Sequence, residues 1–431
     1  MKVAIQSLGC KVNLYESEYI TDQFQKAGYE IVPFQEIADV YIINTCSVTN
    51  TSDVKSRKVI HQAIRRNPDA CIVAIGCFIE ANHDYHEDGV DILLGNANKS
   101  KVLEYVERYW QTKQKANYFV TPIPEKFDDM TMSTFLGRTR AFIKIQDGCE
   151  NFCSYCIIPY VRGKCRSKNF QTVLEEIQNY VQHGYKEVVL TGIHTGNYGV
   201  DLGTDFAALL REIVKINGLV RLRISSIEIT ELTDEVLQII RDNEVIVDHL
   251  HIPLQAGSDK ILRLMNRKYD LAYFKQKMEQ IREIRPDISL TTDIIVGFPS
   301  ETEEDFQDTL SFVREVQFSK VHVFPYSRRS GTVAADMAEQ VPGDVKKDRV
   351  RRLLALSKEL ETEYMKKFIG KTLPVLMEVN RTDYSLGHTS NYLLVKVPGE
   401  YQSEDLVDMT ITDVSYPYCL GEVSRSDSSK E

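Results

Sequence analysis

The chain has 431 residues, room for about two or three domains, and its 43% hydrophobic and 26% charged content is that of an ordinary soluble globular protein. A net charge of −10 excludes a surface uniformly coated in positive charge, although local basic patches for a polyanion stay open. The start, MKVAIQSLGCKVN, lacks a charged segment followed by a long apolar core, and no run approaches ~18 apolar residues, so neither an export signal nor a membrane helix is expected. Nine cysteines in such a chain fit a reducing, cytoplasmic setting, where thiols serve as metal ligands or catalytic groups more often than as disulfides.

The first unit is expected over residues 1–112. Val3-Ala4-Ile5 predicts a short strand, residues 14–27 a helix ended by Gly28, and residues 38–44 a buried parallel strand. Residues 54–66 predict a basic helix that stops before Pro68, and residues 70–75 a second buried strand. This alternation reads as an open α/β sheet. Cys10, Cys46 and Cys77 each fall just past one of these strands, at the edge where open α/β sheets form their ligand crevice. They are far apart in sequence, yet on this fold they can converge as a three-cysteine cluster site; the alternative is three unrelated buried thiols. Cys71 lies inside its strand and is expected in the core.

Residues 113–135 show no periodicity and read as a linker. The second unit, residues 136–367, carries six strand-like runs at 141–145, 187–190, 221–225, 249–252, 290–296 and 321–324. Helical stretches such as 172–183, 206–216, 234–241 and 303–316 separate them. Six βα units predict a partial, open parallel β/α barrel with its chemistry at the carboxyl ends of the strands. Just beyond the first strand stands Gly148-Cys149-Glu150-Asn151-Phe152-Cys153-Ser154-Tyr155-Cys156, a CxxxCxxC spacing. Three thiolates from one tight loop can hold three irons of a cubane whose usual ligation is four cysteines, which leaves one iron open as in a catalytic centre. Structural zinc and a disulfide are the alternatives. Zinc motifs, however, come as two short cysteine pairs, and the next histidine downstream is His183.

Later strand ends on the same face carry Thr191-Gly192, then Ser226 and Glu228, then Gln255, then Asp293 with Val296-Gly297. Glycines there let backbone approach a ligand closely, although each such turn taken singly is an ordinary turn. His194 and His251 are expected as satisfied turn or core residues. Ser300-Glu301-Thr302-Glu303-Glu304 reads as a helix start with a capping box.

Arg162, Lys164, Arg166 and Lys168 follow the cysteine loop and are candidate phosphate contacts, with a solvated basic face as the alternative. Further basic density lies at Arg57, Lys58, Arg65 and Arg66, and at Lys346, Lys347, Arg349, Arg351 and Arg352. Residues 368–431 form a third unit with short strands at 372–379, 392–397 and 406–414, a structural Cys419, and a frayed tail over 424–431. Five Lys/Arg against ten Asp/Glu after Phe368 leave both RNA contact through a limited face and a packing role open.

The CxxxCxxC loop resembles the cluster motif of the radical S-adenosylmethionine (radical SAM) enzymes. Gly9-Cys10-Lys11-Val12-Asn13, Asn44-Thr45-Cys46 and Gly76-Cys77 look like the three cysteine motifs of the methylthiotransferase amino-terminal domain, and the third unit resembles the small five-stranded TRAM barrel. The whole chain is similar to the radical SAM methylthiotransferases. That resemblance implies two [4Fe–4S] clusters. One, on Cys149, Cys153 and Cys156, would chelate SAM at its open iron and release a 5′-deoxyadenosyl radical on reduction. The other, on Cys10, Cys46 and Cys77, would be an auxiliary cluster involved in sulfur donation. SAM contacts are then expected at Thr191, Gly192, Ser226, Glu228, Gln255, Asp293, Val296 and Gly297, and RNA contacts at Arg162, Lys164, Arg166 and Lys168. The implied partners are a tRNA anticodon loop and an external electron donor; the final sulfur source is left open.

Within that family, Lys11-Val12 stands where the isopentenyladenosine branch tends to have Gln-Met, and the 162–167 stretch lacks the Glu pair common there. Lys168 stands where an arginine is usual. The resemblance thus implies conversion of N6-threonylcarbamoyladenosine (t6A) to its 2-methylthio form, SAM being both radical source and methyl donor. The alternatives are the isopentenyladenosine substrate, a ribosomal-protein aspartate, or a non-enzymatic RNA-binding iron–sulfur sensor or electron-transfer module.

Overall fold

The computed structural model describes residues 1–120, 122–132 and 139–424; part of the expected linker and all but the first residue of the expected tail lie outside the described residues. The amino-terminal unit is a six-stranded, all-parallel sheet in the order Glu30–Ile31, Lys2–Ser7, Val40–Thr45, Cys71–Gly76, Ile92–Leu94 and Ala116–Tyr118. Its central strands are apolar on both faces. Tyr41, Ile43, Ile72 and Ala74 pack into one core, and Val40, Ile42, Cys71 and Val73 into another, as parallel sheets covered on both sides require. The last strand, Ala116–Tyr118, falls in the stretch read as a linker, because three residues are too few to show a period.

The second unit contains all six expected strands, paired in parallel as two three-stranded sheets. One is Arg140–Lys144, Glu187–Thr191 and Arg221–Ile224; the other is His249–His251, Ser289–Val296 and Lys320–Pro325. Isolated bridges Leu222↔Ile246 and Ser226↔His251 join them into one open barrel wall. The expected capping box closes at the helix Glu303–Val316: Thr302 and Asp305 satisfy each other's backbone N–H groups.

The third unit is a closed five-stranded barrel in the order Thr372–Asn380, Tyr384–Thr389, Leu394–Pro398, Tyr418–Val423 and Leu406–Ser415, with Cys419 fully buried in its core. It docks against the amino ends of the second unit's strands. Arg221 donates to the backbone carbonyls of Pro374 (2.7 Å) and His388 (3.1 Å), and Tyr392 lies under the guanidinium groups of Arg140 and Arg223, 5.1 and 4.6 Å from their centres. The turn between its second and third strands therefore closes the floor of the β/α barrel. Among the described residues no helix is long and apolar enough to cross a membrane.

The amino-terminal unit is held to the barrel by buried charge. Glu16, on the helix Lys11–Lys26, receives Lys99 (2.6 Å), Lys144 (2.8 Å) and Arg162 (3.1 Å), and Asp147 receives Lys144 (2.7 Å), Arg162 (3.0 Å) and Arg166 (3.6 Å). Burial opposes the charge on Glu16, but Arg162, Lys144 and Lys99 outweigh it and hold the carboxyl well below the usual carboxylate range; Asp147 is depressed in the same way. Folding lowers both pKa values, so this stabilisation is complete above the unfolded carboxylate range of about 4 and is lost as the pH falls through and below it. Glu16→Ala leaves Lys99 with no carboxylate and Lys144 and Arg162 with Asp147 alone, and is expected to destabilise the protein by about 3–5 kcal/mol, read from the denaturant midpoint. Glu16→Gln is expected to unfold earlier than the parent at neutral pH, and to lose less melting temperature than the parent as the buffer is acidified.

Candidate active site

The sheet edge of the first unit brings its three cysteines together. Cys46 and Cys77 follow directly on the strands Val40–Thr45 and Cys71–Gly76, and Cys10 caps the helix that follows the first strand. Gly9 makes the approach possible. It sits at φ +88°, and a Cβ there would lie 2.4 Å from Cys46 Sγ. Burial raises the pKa of two thiols of this trio, Cys10 against the pull of Arg162 and Cys46 to about 11 with Cys77 adding; burial works against the charge of Arg162, which Asp147, Cys77 and Glu16 nevertheless hold in place.

The CxxxCxxC loop is pinned from several directions. Gln146 donates to the carbonyl of Gly148 (2.7 Å), the amide of Cys149 donates to Gly163 O (3.0 Å), and Arg267 Nη1 donates to Cys153 Sγ (3.2 Å). Gly148, at φ +76°, passes so close to the Lys164 carbonyl that a Cβ would sit 1.9 Å from it. Phe152, between the first two cysteines, adopts φ +46°, a left-handed conformation unusual for an aromatic residue. His194 meets Cys149 Sγ (3.8 Å) and pairs with Glu231. Burial works against its charge, but hydrogen bonds to Cys149, Cys165 and Glu231 raise it to about 12. Burial also pushes Cys156 up to about 12, with Cys153 and Cys149 adding.

Two side chains tie the auxiliary trio's surroundings to the segments that flank the CxxxCxxC loop. Asn96 donates to Cys77 Sγ (3.5 Å) and to Val161 O (2.7 Å), and Arg162 runs from Asn13 (2.7 Å) to Asp147 beside Cys10 and Cys77. A cavity of ≈ 850 Å³ opens between the auxiliary trio and the carboxyl ends of the barrel strands. Its walls include Cys10, Cys46 and Cys77, the barrel residues Thr191, Gly192, Ser226 and Asp293, and, on the floor, His388 and Tyr392 of the third unit. Four of the expected SAM contacts thus line this cavity. Glu228 lines a separate, smaller recess with Cys153 and Arg267, to which it is ion-paired. Gln255, Val296 and Gly297 line neither: Val296 is fully buried at its strand end, and Gly297 donates its N–H to Glu301 (2.6 Å). Asp293 pairs with His251 (3.3 Å), which places that histidine on the cavity wall as well.

Three of the four basic residues expected to meet phosphate are instead structural. Arg162 and Lys168 are fully buried and Arg166 nearly so. Lys168 pairs with Glu176, Arg162 with Glu16 and Asp147, and Arg166 with Asp147 and the Pro124 carbonyl. Lys164 alone is exposed, paired with Glu125 at 2.8 Å. Charge density in the sequence says nothing of direction, and one of their carboxylate partners, Glu16, is remote in the chain. A signal was nevertheless present. Glu16 occupies the apolar stripe Val12–Glu16–Ile20–Phe24 and Glu176 sits among Val173, Ile177 and Tyr180; a carboxylate on a buried helix face demands a buried cation. Arg349, in the second basic set, is likewise buried against Glu301 (2.6 Å), whereas Arg57 and Lys58 remain exposed. Arg267 and Asn96, both touching cysteine sulfur, carry no sequence signal of that role.

The residues present suit iron–sulfur clusters. Among the described residues no three His, Cys, Asp or Glu side chains form a cage for a single ion, whereas a cubane binds its cysteines on separate irons. Four buried cations, Lys99, Lys144, Arg162 and Arg166, face only two carboxylates, Glu16 and Asp147, and the unpartnered Nε of Arg162 lies in the same neighbourhood as Cys10 and Cys77. A set of thiolates there would meet positive charge. The buried hydroxyl of Thr191 also has no hydrogen-bond partner and lies on the cavity wall.

Comparison with known proteins agrees with this geometry. The radical SAM superfamily model matches residues 143–313, and the uncharacterized protein family UPF0004 model matches residues 2–95. The threonylcarbamoyladenosine tRNA methylthiotransferase MtaB of Bacillus subtilis is 43% identical over 98% of this chain and 96% of its own. The tRNA-2-methylthio-N(6)-dimethylallyladenosine synthase of Desulfitobacterium hafniense is 36% identical over 98% of this chain and 97% of its own. The fold resembles the radical SAM methyltransferase TsrM from Kitasatospora setae, solved with tryptophan and a SAM analogue, at a TM-score of 0.57 and 12% identity, covering 88% of this chain and 79% of that one. The chain belongs to the radical SAM methylthiotransferase family. It is an enzyme of that kind, with SAM and [4Fe–4S] clusters as its cofactors.

Gly9→Ala drives a methyl group into Cys46 Sγ and is expected to remove the auxiliary cluster alone. Anaerobically reconstituted G9A should carry about half the iron and sulfide of the parent. Its remaining cluster should still change its paramagnetic signal when SAM is added.

Proposed function

We propose that this protein converts t6A, the modified adenosine just 3′ of a tRNA anticodon, to its 2-methylthio form. One observation carries the reading: the auxiliary trio and the SAM-side strand ends of the barrel open onto the same closed-floored cavity, so a base entering it meets both. The full-length likeness to MtaB supports the t6A substrate. The likeness to a dimethylallyladenosine enzyme makes that nucleoside the second reading to be tested. A loop base can be splayed from its stack to reach such a cavity.

Cys149, Cys153 and Cys156 would hold one cluster and Cys10, Cys46 and Cys77 the other; when bound, and supplied with electrons by an external donor, they provide SAM cleavage and sulfur donation respectively. The remaining work falls to this chain's residues. Thr191 and Asp293 offer a hydroxyl and a carboxylate to a polar ligand at the cavity wall. Arg162 and Asn96 keep the two cysteine trios in fixed relative position. Tyr392 and His388 stack on each other and form the floor. Arg57 and Lys58, exposed on the helix Asn50–Arg66 just beyond the cavity residue Val48, are placed to meet RNA phosphates.

The test is direct. Reduced enzyme with SAM and t6A-bearing anticodon stem-loop RNA should yield 2-methylthio-t6A by nucleoside mass spectrometry. The same assay with a dimethylallyladenosine RNA giving the faster product would overturn the substrate. Cys10→Ala should release 5′-deoxyadenosine yet transfer no sulfur; full methylthiolation by that variant defeats the division of roles between the trios.

A further inference from the structure

Every charged side chain on the wall of the main cavity, save one, has an ionic partner among the described residues. Arg162 is paired with Glu16 and Asp147, Arg223 with Glu187, Lys320 with Glu361, and Asp293 with His251. Lys11 is the exception. It lines the cavity, and no hydrogen bond or ion pair meets its ammonium among the described residues. Its charged neighbours are Arg223 and Arg140, with Glu187 the only opposing charge acting on it. Glu187 is already occupied, holding Arg223 at 2.6 Å, Arg140 at 3.1 Å and Arg221 at 3.6 Å, while Arg140 also takes Glu378. Four cations therefore share two carboxylates at this end of the cavity. His249, the nearby imidazole, is driven neutral by its burial and by Arg223 and offers no counter-charge. The region is short of negative charge: the ammonium of Lys11 has no ionic partner, and Nη1 of Arg223 has no hydrogen-bond partner either, on the wall of a space that a ligand can enter.

From this surplus we infer that Lys11, with Arg223 behind it, forms a seat for a carboxylate on the N6 substituent of the substrate adenosine. The inference rests on the t6A reading and deepens it, because the threonyl group ends in such a carboxylate. A dimethylallyl group has none and gains nothing from an unpaired ammonium. Position agrees with charge. Lys11 follows Cys10 directly, so an anion held on it keeps the attached purine beside the auxiliary trio. Lys11 is thus a specificity-determining residue that acts on the substituent while the reaction takes place at C2.

The experiment compares three anticodon stem-loop RNAs, carrying t6A, its carboxamide analogue or N6-dimethylallyladenosine, with reconstituted holoenzyme. Binding is measured by fluorescence anisotropy without SAM, and turnover separately. The parent should bind the t6A RNA about tenfold to a hundredfold more tightly than the carboxamide, the range of one charge-assisted contact. Lys11→Gln should bring the t6A RNA down to the carboxamide level, with the loss in KM rather than kcat, while the carboxamide and dimethylallyl RNAs move less than about threefold. Lys11→Arg should restore most of the preference. Iron and sulfide content equal to the parent's separates this effect from damage at Cys10, and the binding comparison needs no turnover. Equal affinity of the parent for t6A and carboxamide RNA, or an equal loss on all three RNAs in Lys11→Gln, overturns the carboxylate seat. A parent that modifies the dimethylallyl RNA in preference to t6A overturns the substrate reading beneath it.

Discussion

The ion network around Glu16, Arg162 and Asp147 is the interaction on which the arrangement of this molecule depends. The partners come from four places: Glu16 from the first helix, Lys99 from late in the first unit, Lys144 and Asp147 from the first barrel strand and the residues after it, and Arg162 from the short helix Ile158–Arg162 beyond the cysteine loop. Burying these charges is expensive unless all are satisfied, so the network tolerates only one placement of the first unit on the barrel. That placement sets the auxiliary cysteines over the cavity. A hydrophobic interface of equal area would bind the two units but would permit sliding, and a sliding interface could not hold two reaction centres in register.

Much of this was legible in the sequence, and the reasons differ by element. The six barrel strands stand as apolar-rich runs with amphipathic helices between them, an alternation the sequence carries even where a strand is as short as His249–His251. Strands of two or three residues, Glu30–Ile31 and Ala116–Tyr118, carry no period and were visible only through pairing. The cysteine loop announces its chemistry by spacing alone. The auxiliary trio is readable only through the rule that strand ends gather at one edge. Arg162 and Lys168 show the limit of composition: a run of basic residues looks like a surface until its partners, more than a hundred residues away for Glu16, are brought up by the fold.

The third unit alters how its acidity is to be understood. As a free RNA-binding module it would be poorly equipped, with twice as many acidic as basic residues after Phe368. Its packing explains the composition. Glu378 helps to neutralise Arg140 at the base of the barrel, and Tyr392 offers its ring to Arg140 and Arg223. The packing role left open by its sequence has direct structural support.

The floor contributed by Tyr392 and His388 means that the reaction chamber is not the property of any one unit. The first unit supplies a wall, the second the strand ends, and the third the base. In such a vessel the depth available to a nucleoside's side group is set by a turn belonging to a module that touches neither cysteine trio. Relatives could therefore acquire a longer or shorter substituent by changing that turn, with the radical chemistry overhead left intact.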